Sequence, residues 1–475
     1  MADNNRPAGT PGQANAAYGA DQGQNKLGSW PIGKLLLSMA IPMMLSFFIQ
    51  ALYNFVDSMF VARISENALT AVSLAYPVQN IMMAIGVGTG VGISASVPRA
   101  IGRGDMERAD RIANSAVFIN IVWSVLFAVL GFIAARGFYL LQTDIPDIVD
   151  GGTIYLRICW GAGFGLFFSM MFERLLVATG YATLAMIAQA SGAVFNIIFD
   201  PLLIFGIGPF PRMGIAGAAT ATVLGQIFAA VIALLLNLKK NSNLRFSLNG
   251  VLHPDFGCIR QIYSIGFPSM ITIGLSSLTG FCINIVLLGY STTATAVYGI
   301  WMKLMNFCFM PAFGLNNALV PILSFNYGKR DRQRVKSAIR LALTIVLVFM
   351  LTLTVILELI PRQLLMLFSA SDNMMSIGLV ALRICCISLV FGAATIVMTS
   401  SMQSMDHSRY TLIVNLMRQF VILVPAFFLL SFLTHDLNKV WFAVPLSEMI
   451  SCCTAVILYR KMDKDIEAEF AKSGN

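Results

Sequence analysis

The chain has 475 residues, of which 57% are hydrophobic and only 12% are charged, and its formal net charge is +9. Its mean hydropathy is +0.76, whereas about 25% of the residues in an ordinary soluble domain are charged. These values exclude a soluble globular protein and predict an all-α polytopic membrane protein with spans of roughly 20 residues each. The apolar runs are continuous and do not alternate with polar residues, which excludes a β-barrel.

The chain begins with a polar segment rich in Ala, Gly, Asn and Gln. This segment lacks the basic start, the apolar core and the cleavage site of a secretory signal. We therefore predict a disordered N-terminal tail over residues 1–30.

Twelve apolar runs, bounded by charges, glycine and proline, predict twelve transmembrane helices. Their approximate bounds are 35–62, 72–97, 113–135, 153–177, 183–206, 215–238, 262–289, 297–324, 338–360, 377–402, 410–434 and 440–460.

The basic residues predict the orientation of these helices. If the N-terminus is cytoplasmic, the loops and tails on that side hold 22 of the 32 Lys and Arg residues, and the opposite loops hold 5. Because basic residues concentrate on the cytoplasmic side of membrane proteins, we predict that both termini are cytoplasmic. This asymmetry explains most of the positive net charge, so no nucleic-acid partner is expected.

The two halves of the chain repeat each other at an offset of 226 residues. The segment "AIPMM" corresponds to "GFPSM", and "IGRGDMER" corresponds to "YGKRDRQR". Six spans separate the copies, so the halves share one orientation and are related by a pseudo-two-fold axis along the membrane normal, which is typical of transporters. We predict a first lobe over 31–238, a cytoplasmic linker over 239–261, a second lobe over 262–460 and a tail over 461–475.

Two carboxylates fall inside the apolar runs of the first lobe. Asp57 lies 22 residues after Leu35, roughly 33 Å along the helix, and Asp200 lies 17 residues after Thr183, roughly 25 Å along. Both are therefore expected in the outer half of the first lobe, at depths compatible with one cavity. An ionisable side chain inside a membrane is costly, which favours a function, although a structural pairing with a nearby donor is the alternative.

Polar residues precede Asp57 and Asp200 by three or four positions on their helices. Residues at this spacing are neighbours on a helix, so each acid has polar side chains beside it. Pro201 cannot donate a backbone hydrogen bond and so frees the carbonyl of Ile197. In the second half the acids correspond to Ile283 and Ala426, so ion coupling is expected in the first lobe only. The predicted ion-coupling residues are Asp57, Asp200, Asn196, Asn54 and Tyr53.

These motifs resemble those of the multidrug and toxic compound extrusion (MATE) family. The resemblance is carried by "AIP", by "YNFVDSMFVAR" in the first span, by "FNIIFDPLLIFG" in the fifth, and by the "GRGD" and "GKRD" loops. It covers residues 30–460, and "FERLLVATG" makes the chain most similar to the MepA-like and DinF-like bacterial exporters. The resemblance implies two six-helix lobes and ion-coupled export of amphipathic organic cations across the bacterial inner membrane.

Further residues are candidates for contact with the substrate. Glu173 lies roughly 10 Å from the inner turn and is expected to attract cations, unless it pairs with Arg174 or lies at the interface. Lys303 either balances an acid across the cleft or anchors its helix. The predicted substrate-binding residues are Glu173, Gln50, Lys303, Phe47 and Tyr298.

The sequence offers no other energy source or chemistry. It has no Walker A loop, and the glycines of "GVGTGVG" (86–92) lie inside a span, where they permit close helix packing. The cysteines include no CxxC pair and the three histidines fall in loops, so neither a metal, a cofactor nor enzyme activity is expected.

We predict a monomer whose transport is coupled to protons, with sodium possible because several oxygens are available. The alternative function is that of a lipid-linked precursor flippase.

Overall fold

The computed structural model describes residues 26–368 and 370–472, without the side chains of 469–472, and within these residues it contains helices and no strand. Eleven of its helices are long and apolar enough to cross a membrane, and a twelfth span consists of two helices that meet at an angle of 42°. The prediction of an all-α protein with twelve spans is confirmed.

We number the spans in chain order. The first half contains α1 (Ile32–Ala62), α2 (Glu66–Gly102), α3 (Met106–Leu140), the bent α4 (Pro146–Gly161 and Phe164–Ala178), α5 (Ala182–Phe205) and α6 (Ile215–Lys240). The second half contains α7 (Phe256–Leu288), α8 (Thr292–Gly328), α9 (Arg332–Leu359), α10 (Asp372–Cys386 and Ser388–Ser404), α11 (Ser408–Leu416, the π-helical Met417–Leu423 and Val424–Thr434) and α12 (Ala443–Lys472). Short helices lie at Lys26–Ser29, Leu248–Leu252, Pro361–Leu367 and Leu437–Val440.

The helix caps repeat between the two halves. Ser65 caps α2 by accepting from the Ala68 amide at 3.0 Å, and Ser291, 226 residues later, caps α8 with the same geometry. Asp105 and Asp331, separated by the same offset, cap α3 and α9. These polar caps lie outside the apolar runs, and each satisfies a backbone N–H that the first turn leaves open. The helices are therefore longer than hydropathy alone predicts.

Each half packs mainly within itself, and α1 and α2 join the halves by packing against α7 and α8. Glycines allow the backbones of α2 and α7 to approach closely: a Cβ on Gly92 would overlap the Ile262 carbonyl, and Gly88 faces the backbone of Gly266. The packing role predicted for residues 86–92 is confirmed.

The halves contact each other at the end of the molecule that carries the start of α1 and the end of α12, which we call the terminal end. There the buried Arg99 of α2 pairs with Asp406 at 3.0 Å and donates to the Ser404 carbonyl at 2.8 Å. Farther from this end, Gly274 and Gly280 of α7 have no atom within 4 Å of a Cβ position. The halves are thus held together at the terminal end.

The predicted tails are more ordered than expected where the structure describes them. Leu27 is fully buried, and its carbonyl accepts hydrogen bonds from Asn326 and Arg334, each at 3.2 Å. Residues 26–30 therefore belong to the fold, whereas the rest of the predicted disordered tail lies outside the described residues. At the other end, α12 runs through the predicted tail to Lys472 because Arg332 pairs with Asp463 at 3.3 Å and with Glu467 at 2.7 Å.

We expect Gly92→Ala to lower the melting temperature of the purified protein. The added methyl group would meet the Ile262 backbone, and overpacking of this kind costs about 1–3 kcal/mol. The matched control is Gly137→Ala, because a Cβ at Gly137 has no atom within 4 Å. Equal melting temperatures for the two variants would show that α2 and α7 do not approach as closely as described.

Candidate functional site

A cavity of about 230 Å³ lies within the first half and reaches the second half at one residue. It is lined by α1, α2, α4, α5 and α6, and by Asn317 of α8. Along α1 it extends from Met43 to Tyr53, which is roughly 15 Å of helix. Much of its wall is apolar and is formed by Met43, Phe47, Met83, Val87, Leu166, Met170 and Val177.

Polar side chains cross the cavity between neighbouring helices. Gln189 of α5 donates its amide to Gln50 of α1 at 3.0 Å, and Asn196 of α5 donates to Thr222 of α6 at 3.4 Å. The α5 and α6 backbones approach closely at a pair of glycines, where a Cβ on Gly192 would lie 2.6 Å from a carbonyl oxygen of α6. This close approach brings Asn196 against Thr222.

The two membrane carboxylates meet beside this cavity. Asp200 is fully buried, and its Oδ1 accepts from the Asn196 amide at 3.2 Å. The carboxyl groups of Asp57 and Asp200 lie within hydrogen-bonding reach of each other. Oδ1 of Asp57 and Oδ2 of Asp200 are buried and make no hydrogen bond within the described part of the chain. The contact between Asp57 and Asp200 is called the carboxyl pair below.

Two residues link the carboxyl pair to the cavity. Tyr53 lies on α1 four residues before Asp57, lines the cavity, and has its hydroxyl within hydrogen-bonding reach of Thr222. Asn196 also lines the cavity while bonding Asp200. The structure thus brings together four of the five predicted ion-coupling residues. Asn54 is exposed, and its side-chain oxygen accepts a hydrogen bond from the Gln50 amide at 3.4 Å.

Both charged residues that line the cavity come from α4. Glu173 makes no hydrogen bond or ion pair with any described residue, and its neighbour Arg174 donates to the Oδ1 of Asn317 at 2.5 Å. The sequence identified Glu173 but named Arg174 only as a possible partner of Glu173. The side chains of Asn317, Gln189 and Thr222 carried no signal in the sequence analysis, because depth along a helix does not reveal which face meets a neighbour.

Two predicted substrate contacts do not lie at this cavity. Lys303 is exposed on α8, outside the cavity lining. Tyr298 is 7% exposed and packs edge-on against Phe427, with ring centroids 6.3 Å apart. Neither residue lines this cavity, and Tyr298 belongs to the core of the second half, so their contact with a substrate stays a prediction. Gln50, Phe47 and Glu173 do line the cavity.

The second half has no counterpart of the carboxyl pair. Ile283 and Ala426, at the repeat positions of Asp57 and Asp200, are both buried. Elsewhere along α7 and α11, uncharged hydrogen bonds join the two helices, such as that from the Asn415 amide to Thr272 at 2.9 Å. Across residues 26–368 and 370–472, no three His, Cys, Asp or Glu side chains come together as a metal site would require.

Comparisons with known proteins agree with the fold and the repeat. A model of the MatE family matches the chain twice, over residues 42–202 and 268–429, and the starts of the two matches are separated by the repeat offset. A solved structure described as the outward-facing conformation of a multidrug resistance MATE family transporter superposes with a TM-score of 0.86 at 24% identity, covering 94% of this chain and 98% of that one.

Relatives with assigned names match over nearly the whole length. The FAD transporter of Shewanella oneidensis is 26% identical over 454 residues, which is 93% of this chain and 98% of the relative. The multidrug export protein MepA of Staphylococcus saprophyticus is 23% identical over 433 residues, which is 91% of this chain and 94% of the relative. Together with the duplicated family match, the fold and the cavity, these similarities show that the chain belongs to the MatE family of multi-pass membrane transporters, the multidrug and toxic compound extrusion proteins.

Proposed function

We propose that this protein is a proton-coupled antiporter that exports amphipathic organic cations across the bacterial inner membrane by alternating access, with both termini in the cytoplasm. The observation that carries the proposal is a pair of carboxyl groups in contact beside a largely apolar cavity. The cavity adds an acidic side chain, Glu173, for the substrate.

The carboxyl pair supports proton binding. Two ionised carboxylates in contact and shielded from water repel each other strongly, so such pairs retain a shared proton over a wide pH range. A proton between Asp57 and Asp200 would also provide the donor that their two unpartnered oxygens lack. Asn196 presents an amide N–H to Asp200, as suits a carboxylate acceptor.

The cavity suits an amphipathic cation. Glu173 accepts no hydrogen bond from any described residue, so a cationic group could approach it without displacing a protein donor, although the charge of Arg174 also acts on it. Methionine and aromatic side chains provide an adaptable apolar surface for the remainder of such a molecule. Binding sites for small molecules commonly combine a mostly apolar wall with a few polar groups that fix orientation.

Tyr53 and Asn196 provide a physical link between the two events. Each lines the cavity and also adjoins the carboxyl pair, so protonation of the pair alters side chains that a substrate contacts. Coupling requires that the proton and the substrate favour different access states. With the termini in the cytoplasm, the closed terminal end described above corresponds to an outward-facing state.

The main alternative is a flippase for lipid-linked precursors. Such a cargo carries a pyrophosphate, for which a cluster of basic residues is expected, whereas this cavity is lined by one arginine and one glutamate. One relative is named a FAD transporter, so FAD is a necessary comparison in any cargo panel. Export of FAD or a lipid pyrophosphate, without export of cations, would replace the proposal.

We expect Asp57→Asn and Asp200→Asn each to reduce efflux of an organic cation by more than about tenfold in a pump-deficient bacterium, because each removes half of the proton site. The double variant should be no worse than either single variant, since the two groups act as one unit. Glu358→Gln is the control, because Glu358 lies on α9 outside the cavity lining. Efflux at the wild-type rate in both single variants, with all proteins inserted equally, would refute the coupling assignment.

The coupling ion can be identified in vesicles with imposed gradients. We expect efflux to proceed at full rate with a pH gradient and no sodium, because a shared proton satisfies the carboxyl pair. An inward sodium gradient at fixed pH should not drive efflux. If transport stalls without sodium and an inward sodium gradient restores it, the coupling ion is sodium.

A further inference from the structure

The transport cavity contains a positive charge as well as a negative one. Glu173 and Arg174 both line it, and they are the charged residues of its lining. Successive residues on an α-helix project about 100° apart, so the two side chains point in different directions from α4.

The two charges do not neutralise each other through direct contact. No ion pair within 4 Å joins them, and Glu173 makes no hydrogen bond with any described residue. The recorded hydrogen bond of Arg174 uses Nη1 alone, toward the amide oxygen of Asn317. A guanidinium group carries five N–H donors in a planar fork, so most of its donor capacity remains for a ligand in the cavity.

The packing of Arg174 fixes where its charge lies. Its stem lies against Gly90 of α2, where a Cβ would come within 2.8 Å of the arginine Cγ. Any larger residue at Gly90 would therefore displace the stem. The guanidinium is thus held between α4, α2 and α8, and it is not a flexible surface charge.

We propose that Arg174 is a specificity-determining residue that binds an anionic group, so that the cavity selects amphipathic zwitterions, with an amine toward Glu173 and a carboxylate toward Arg174. This inference rests on the proposed export function and narrows its substrate class. A carboxylate can accept two parallel bonds from a guanidinium, which adds both affinity and orientation. A plain cation gains nothing from Arg174 and experiences its repulsion.

A matched pair of fluorescent probes tests the inference. A rhodamine free acid is a zwitterion at neutral pH, and its ethyl ester is a cation with the same ring system. We expect the wild-type protein in proteoliposomes to export both, with a lower KM for the acid. Arg174→Gln should raise the KM of the acid by about tenfold or more, the loss expected for a charged hydrogen bond, and should leave that of the ester within about twofold.

Three further variants separate recognition from structure. Asn317→Ala removes the same hydrogen bond between the halves but keeps the guanidinium, so the preference for the acid should persist. Arg174→Lys keeps the charge without the fork and should retain part of that preference. Arg157→Gln, at an exposed residue on the same span, should match the wild type. Glu173→Gln should weaken transport of both probes, because both carry the cationic group.

Fluorescence anisotropy can measure the binding of the two rhodamines to purified protein, which gives the same comparison without transport. Two results would overturn the inference and leave Arg174 a connection between the halves. In one, Arg174→Gln weakens the binding of both probes equally; in the other, Asn317→Ala abolishes the preference for the acid as Arg174→Gln does. Export of the ester but not of the acid by the wild type would overturn it as well. If the wild type exports neither probe under a pH gradient, the proposed export function itself fails.

Discussion

The contact between Asp57 and Asp200 imposes the strongest physical constraint on the first half of this molecule. Two carboxyl groups that meet away from water can be stable only if they share a proton or gain compensating donors. The structure supplies one such donor, the Asn196 amide, and leaves one buried oxygen on each acid without a partner. The close approach of α5 and α6 at Gly192 serves this requirement, because it holds Asn196 between Asp200 and Thr222. The proposed transport cycle uses the same unsatisfied oxygens.

The two halves share one architecture but differ at the residues of the carboxyl pair. The helix caps at Ser65 and Ser291 show that the repeat survives wherever it maintains the fold. It fails where chemistry is proposed, since Ile283 and Ala426 replace the two acids. The second half is therefore suited to act as the surface against which the first half moves, and it reaches the cavity through Asn317. The Arg99 contact with Asp406 closes the terminal end and must break if the cavity opens there.

Most of the fold could be predicted from the sequence, because membrane spans are encoded in hydropathy and the repeat in short motifs. The similar depth of Asp57 and Asp200 was predictable as well, since depth along a helix follows from counting residues at 1.5 Å each, whereas their direct contact was not. Helix faces were not predictable to the same degree. Tyr298 proved to be a core residue and Lys303 an exposed one, because packing between helices determines which face meets a cavity. The position of Arg174 in the cavity lining was missed, since its path past Gly90 depends on tertiary contacts between distant helices.

If proton and substrate compete through the carboxyl pair, binding of a substrate must release protons. Purified protein in a weakly buffered detergent solution near neutral pH would be titrated with a cationic substrate while a pH indicator records released protons. Linkage requires that a ligand opposed by protons expel them when it binds. We expect release of about one proton per bound substrate in the wild type, and no release when Asp57→Asn and Asp200→Asn are combined. Saturable binding without proton release from the wild type, or undiminished release from the double variant, would contradict it.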